Sequence, residues 1–250
     1  MVFNNKYVVG IEQVGVGNMI TNKAILSIME DIASLHSANV GFGLMDITRT
    51  QKGWILLDWQ LKIIRRPLYN ETLDVYTWSR KCERAWAFRD FEFKDESGEL
   101  VAIATSRWIL FDIQARRPLR ITEDIALLYD SEPQRHVFDE EPEQIKCEEL
   151  LRDSQSDVQA ETSDNKFIYK VMRRDIDINH HMHNINYLDV AYEALPQNIY
   201  DSNVFNEVRI QYKKELQYND VVECYYIENE GWHLVIMQSD GKINAVVALR

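Results

Sequence analysis

Positive charge is what this chain has least of. Its 250 residues carry 28 Lys and Arg against 40 Asp and Glu, a formal net charge of −12. That deficit argues against nucleic acid as a general partner, because phosphate binding needs a basic field. Cysteine is scarce as well, and Cys82, Cys147 and Cys224 are odd in number and far apart. They form the pattern of neither a disulfide framework nor a zinc site, and they suit reduced thiols in a cytosol-like compartment. No apolar run reaches the roughly 18 residues that a membrane-spanning helix requires. The opening MVFNNKYVVG has neither the charged n-region nor the apolar h-region of a signal peptide. The expectation is a cytoplasmic enzyme or binding protein.

What remains is globular: 46% hydrophobic and 27% charged residues, enough chain for one large domain or two smaller ones. Strand-like residues around Tyr7 and Val9 lead through Gly10, Gly15 and Gly17 to Thr21 or Asn22, either of which can cap a helix. Ala24, Ile25, Ile28, Met29, Ile32 and Leu35 keep the three–four spacing of a buried helix face. The period then changes to two. Ile55, Leu57, Trp59 and Leu61 read as one face of a strand, and further strands follow over 73–78, 91–94 and 100–111.

Between Asp139 and Asp164 ten acidic residues face only Lys146 and Arg152. This stretch, within 126–165, reads as an acidic, partly helical and solvated linker without a core. From residue 166 the first half begins again: strand, helix over 184–195, then strands over 208–212, 221–227, 232–238 and 242–249. The two halves overlay at falling offsets. Tyr7, Val9 and Asn22 meet Tyr169, Val171 and Asn184; Tyr69, Asn70 and Glu71 meet Tyr218, Asn219 and Asp220; Gly98 meets Gly241. A duplicated α+β unit follows, each copy a sheet around one helix, with boundaries near 1–125 and 166–250.

The most crowded polar run is Asp175-Ile-Asp-Ile-Asn-His-His-Met-His-Asn184, which holds three of the six histidines. It precedes the second helix, and a helix N-terminus is a good place to receive a carbonyl oxygen or an anion. Neighbouring residues of a strand face opposite ways and no H-E-x-x-H pattern is present, so His180, His181 and His183 make a poor metal site.

The duplicated unit resembles a hotdog fold, and two copies in one chain a double hotdog. Three motifs narrow the resemblance to the acyl-acyl-carrier-protein thioesterases of plants and bacteria. The run from Asp175 to Asn184 is similar to the family's D-L-D-x-N-x-H-x-N-N. Tyr212-Lys-Lys-Glu215 is similar to its Y-R-R-E. Ala104-Thr-Ser-Arg-Trp108 with Gln114-Ala-Arg-Arg117 is similar to A-T-S-x-W followed by x-x-R-R. The resemblance implies hydrolysis of the thioester between a fatty acyl chain and a carrier's phosphopantetheine arm. It implies catalytic residues at Asp177, Asn179, His181 and Glu215, an acyl pocket in the first half, and an acyl carrier protein as partner. No cofactor or metal is expected beyond the phosphopantetheine that the substrate itself carries. A monomer or a homodimer fits equally, since one chain already pairs two units. An acyl-CoA thioesterase and a non-catalytic acyl-binding protein are the alternatives. Many plant members carry cysteine after the motif glutamate, where this chain has Leu216.

In an extended segment Asp177, Asn179 and His181 share a face and can converge. Glu215 and His181 suit water activation and proton transfer. Asn179 and backbone N–H groups suit the oxyanion, each such donor being worth about 2.7–4 kcal/mol in the transition state. Asp177 suits orientation of His181 or the water, with direct attack by a carboxylate as the other route. The plainer reading is that Asp177 and Asn179 only form turns. The repeat weighs against it: the first half has Gly15, Gly17, Met19 and Arg66 at the matching positions. Basic pairs at Arg65-Arg66, Arg116-Arg117, Arg173-Arg174 and Lys213-Lys214 are candidate contacts for an acidic carrier.

Overall fold

The period-two stretches become antiparallel strands and the three–four stretches become the helices they cover. The computed structural model describes residues 1–156 and 166–250, so part of the expected acidic linker, 157–165, lies outside the described residues. The chain divides into two compact units, Met1–Glu141 and Pro142–Arg250.

The first unit contains β1 (Val2–Val8), α1 (Asn22–Asn39), α2 (Ile47–Thr50), β2 (Lys52–Ile63), β3 (Thr72–Glu83), β4 (Trp86–Lys94), β5 (Leu100–Asp112), β6 (Arg117–Pro118) and α3 (Glu123–Leu128). Its sheet runs β1-β3-β4-β5-β2, with β6 paired to β5. The second contains α4 (Cys147–Ser156), β7 (Lys166–Lys170), α5 (Asn186–Ala194), α6 (Gln197–Ser202), β8 (Glu207–Tyr212), β9 (Val221–Asn229), β10 (Trp232–Ser239) and β11 (Lys242–Leu249). Its sheet runs β7-β9-β10-β11-β8, which is the first unit's order element for element. This is a double hotdog.

Equivalent hydrogen bonds verify the repeat. In the first unit Val9 N donates to Glu71 O (2.9 Å) and Asn70 N to Val9 O (2.9 Å). In the second Val171 N donates to Asp220 O (2.9 Å) and Asn219 N to Val171 O (3.1 Å). Asn70 and Asn219 both take left-handed backbone, at φ 68° and 73°, a conformation that asparagine tolerates better than most side chains.

Three local expectations change. A β-bulge between Leu56 and Asp58 shifts β2's alternation, so Leu56 and Trp59 are buried while Ile55 is exposed. On α1, whose first turn is capped by Thr21 Oγ1 accepting from Ala24 N (3.1 Å), Leu35 is exposed and His36 takes the inward position. The expected linker also has a core where it was expected to have none. Tyr129 packs with Leu110, Ile121 and Ile125 of the first unit. Cys147 and Leu151 of α4 pack with Leu234, Ile236, Val246 and Ala248.

The buried His36 makes folding sensitive to pH. Its Nδ1 accepts from Arg89 Nη1 (2.9 Å), which also donates to Thr77 Oγ1 (3.1 Å), and Phe3 stacks on the ring. Burial, reinforced by the Arg89 charge, lowers the imidazole from 6.5 to about 3. Between those values the unfolded chain takes up a proton that the folded one refuses. Stability therefore falls as pH drops below about 6.5, by up to about 1.4 kcal/mol per pH unit. His36→Gln keeps an acceptor for Arg89 and removes the titration. Urea midpoints at pH 7, 6 and 5 should decline less steeply in this variant, and equal slopes would contradict the assignment.

Candidate active site

The polar run ahead of α5 does not form the extended segment that its alternation suggests. A single 3₁₀ turn, Arg173–Asp175, leads into a small loop closed by a bridge between Ile176 and Met182. Asp177 N donates to His181 O (2.8 Å), His180 N to Asp177 O (3.1 Å), and His180 takes left-handed backbone at φ 64°. The chain reverses here because Asp177 makes an Asx-type turn: its Oδ1 accepts from Asn179 N (2.8 Å) and His181 N (3.2 Å). Asn179 Nδ2 donates to Asp177 Oδ2 (3.3 Å). Helix α5 starts at Asn186, two residues later than its periodicity indicates, and ends at Ala194 ahead of Leu195-Pro196.

Buried Asp175 anchors the loop from below. Its Oδ2 accepts from the Tyr169 hydroxyl (2.7 Å) and Met172 N (2.7 Å), and its carbonyl from His183 N (2.8 Å). A second strand end then arrives. Met182 N donates to Leu216 O (2.7 Å), which brings the segment after β8 against the loop. The result sets His181 Nε2 3.6 Å from Glu215 Oε1. Both side chains reach solvent, at 31% and 51% exposure, as groups that handle water must.

All four expected residues therefore gather in one place, by a turn instead of a strand. His181 and Glu215 face each other. Asp177 holds the His181 backbone, not its ring, and both its oxygens accept from its own loop. His180 is exposed and His183 half-buried. Among the described residues no group of three or more His, Cys, Asp and Glu is placed to hold a metal ion. Tyr187, which no motif or spacing singles out, is buried close by. Burial drives its hydroxyl well above the ordinary phenol value, with the Glu215, Asp220 and Asp177 charges adding and the Leu216 N–H opposing. It stays neutral.

The first unit builds the same loop without the same side chains. Gly15 N donates to Met19 O (2.9 Å), Asn18 N to Gly15 O (3.2 Å) and Ile20 N to Pro67 O (2.9 Å), and a bridge joins Val14 to Ile20. Every one of these has its counterpart in the second unit. Where Glu215 would stand, Arg66 donates instead to Ile20 O (2.8 Å) and Asn22 Oδ1 (2.8 Å). The fold makes this loop with glycine, methionine and arginine. The acidic, amide and imidazole groups of the second copy are extra to it.

Residues 1–129 match the acyl-ACP thioesterase N-terminal domain, and residues 158–248 match the acyl-ACP thioesterase C-terminal domain. The chain belongs to the acyl-ACP thioesterase family. Among curated relatives, oleoyl-acyl carrier protein thioesterase 2 of Arabidopsis thaliana is 25% identical over 232 residues, covering 88% of this chain and 61% of its own. A dodecanoyl-[acyl-carrier-protein] hydrolase of Cinnamomum camphora is 23% identical over 233 residues, covering 89% and 58%. The chain thus spans about three fifths of these relatives' length. An acyl-ACP thioesterase from Bacteroides thetaiotaomicron shares the fold at a TM-score of 0.83 and 20% identity, over 99% of this chain and 96% of the other. The 12:0-ACP thioesterase of Umbellularia californica does so at 0.80 and 18%, over 100% and 96%. Beside Glu215, Leu216 is buried and tied to the loop through its carbonyl, a structural anchor next to the glutamate.

Proposed function

We propose that this protein hydrolyses fatty acyl-acyl carrier protein, releasing the free fatty acid and the carrier's phosphopantetheine thiol and so ending chain elongation. The observation that carries the reading is the approach of His181 to Glu215 on a loop whose backbone twin lacks both. Glu215 takes a proton from water as the water oxygen bonds to the acyl carbon. The carbonyl oxygen becomes an oxyanion, received by backbone N–H groups and by the second N–H of the Asn179 amide, whose first is given to Asp177. Collapse breaks the C–S bond, and the proton taken by Glu215 passes through His181, 3.6 Å away, to sulfur, which restores both groups. Asp177 shapes the loop, which leaves Glu215 as the carboxylate facing the imidazole.

The basic pairs of the sequence support a carrier protein as partner to different degrees. Arg65 is paired to Glu71 and Asp95, Arg66 is committed to its own loop, and Lys213 is paired to Glu148. Arg174, which reaches Asp175 only at 4.0 Å and keeps its side chain 80% exposed, and exposed Lys214 flank the site residues in sequence and suit an acidic protein surface. Three unpaired cysteines, Cys82, Cys147 and Cys224, suit a reducing compartment such as the cytoplasm. No helix among the described residues is long and apolar enough to cross a membrane.

Matched acyl-carrier and acyl-CoA thioesters, offered to the purified protein with thiol release followed, test the proposal. Faster turnover of the carrier thioester is expected. Preference for CoA would move the reading to an acyl-CoA hydrolase, and no hydrolysis of either would end the enzyme reading. Thiol chemistry is also expected to be dispensable. Burial raises all three thiols, Cys224 to about 12, so none is a thiolate at neutral pH. Iodoacetamide treatment of the folded protein should leave turnover intact; inactivation that tracks alkylation of one cysteine would contradict this.

A further inference from the structure

Glu215 stands at the end of a short turn, Lys213-Lys214-Glu215, and one residue of β11 organises that turn. The Asn244 carbonyl accepts from both Lys213 N (2.8 Å) and Lys214 N (3.1 Å). Its side-chain Nδ2 reaches back to Lys214 O (3.3 Å) and Glu215 O (3.5 Å). The side chain is only 1% exposed, and its Oδ1 has no hydrogen-bond partner among the described residues. A buried amide oxygen left unpaired opposes folding, so the fold alone does not favour asparagine here.

The first unit shows what the fold alone accepts. There Val101 O accepts from Ile64 N (2.9 Å) and Arg65 N (3.1 Å), the same forked pair of bonds onto the same turn. The residue that follows in that turn is Arg66, in the place of Glu215. The backbone geometry is reproduced with a fully buried valine. The copy with the glutamate has an amide donor under the turn; the copy with the arginine has a hydrocarbon.

We propose that Asn244 is a positioning residue: its amide fixes the Lys214 and Glu215 carbonyls and thereby aims the Glu215 carboxylate at His181. The inference rests on the reading of Glu215 as the group that activates water. Asn244 touches neither substrate nor water; it acts through the turn. Lys214 and Glu215 are themselves exposed, so removal of the amide frees the turn and the carboxylate loses its fixed aim.

The test is Asn244→Val, the residue that the sister copy already uses, with Asn244→Ala as a second variant. Both are assayed in the full chain on an acyl-carrier thioester, alone and combined with Glu215→Gln. Asn244→Val should lower kcat about tenfold to a hundredfold, the effect of a small misplacement of a reacting group. KM should stay within about twofold, since uniform binding is untouched, and the pH profile of kcat should change shape. Its thermal midpoint should match or exceed that of the parent. In the Glu215→Gln background the same substitution should cost nothing further. Unchanged kcat, or a loss that adds fully to that of Glu215→Gln, overturns the proposal. So does failure of both variants to fold, which would make the amide structural. If Glu215→Gln alone keeps full turnover, the reading of Glu215 falls first and this inference with it; an additive loss sinks this inference alone.

Discussion

Glu215→Gln should reduce turnover of an acyl thioester by about 100-fold or more, the usual loss when a general acid–base group is removed, while the protein stays folded. His181→Ala should lose as much. The geometry makes the two losses overlap. His181 Nε2 and Glu215 Oε1 lie 3.6 Å apart, slightly beyond hydrogen-bond reach, as catalytic pairs often are before substrate closes on them. If both handle the one proton that passes from the attacking water to sulfur, the double variant should be scarcely slower than either single one. Neither side chain is buried, and substitutions at partly exposed positions commonly change stability by about 0.5 kcal/mol or less. Thermal midpoints should therefore hardly move. Steady-state kinetics with unfolding curves on all three variants check this. Full multiplication of the two losses would mean that the residues act in separate steps.

The second large effect is expected at Asp177, for a different reason. Its carboxylate accepts from Asn179 N and His181 N and so decides where the imidazole and the amide stand. Removing it in Asp177→Ala should cost about 100-fold in kcat through misplacement. The loop itself should survive, because the first unit closes the same loop with Gly15 at this position. Each lost hydrogen bond is worth only about 1 kcal/mol on a solvated loop. Asp177→Asn keeps an acceptor oxygen and should recover a measurable part of the activity. A carboxylate that attacked the acyl carbon would give the opposite result, with Asn as inactive as Ala. Comparing kcat for the two substitutions therefore separates the orienting role from the nucleophilic one.

The sequence made the repeat legible because its markers are residues with strong local demands. Asn70 and Asn219 sit in left-handed backbone, and Gly98 and Gly241 turn their hairpins at positive φ. The four site residues were legible through their motif and through what the first half lacks. The form of their loop was not. Polar residues two apart fit a strand and an Asx turn equally well, and Asp177-x-Asn179 is the local cue that would have favoured the turn. The bulge in β2 escaped because one inserted residue leaves hydrophobicity unchanged while exchanging faces. His36 escaped because a helix-face pattern counts apolar residues, and here an imidazole takes the inward place with a buried arginine as its partner. Asn244 was beyond reach for a simpler reason: its partners are backbone carbonyls nearly thirty residues away, which carry no side-chain signature.

The twin loops also make the chain an uneven target for random mutation. Around residues 14–20 only the shape of the backbone is at stake, held by Gly17 at φ 76° and by the Arg66 guanidinium. Val16, 96% exposed at that loop's tip, should accept nearly any replacement. Around residues 176–182 shape and chemistry are superimposed on the same few positions. Tolerance to substitution, plotted along the sequence, should therefore be high in the first copy and low in the second, although the two trace the same path.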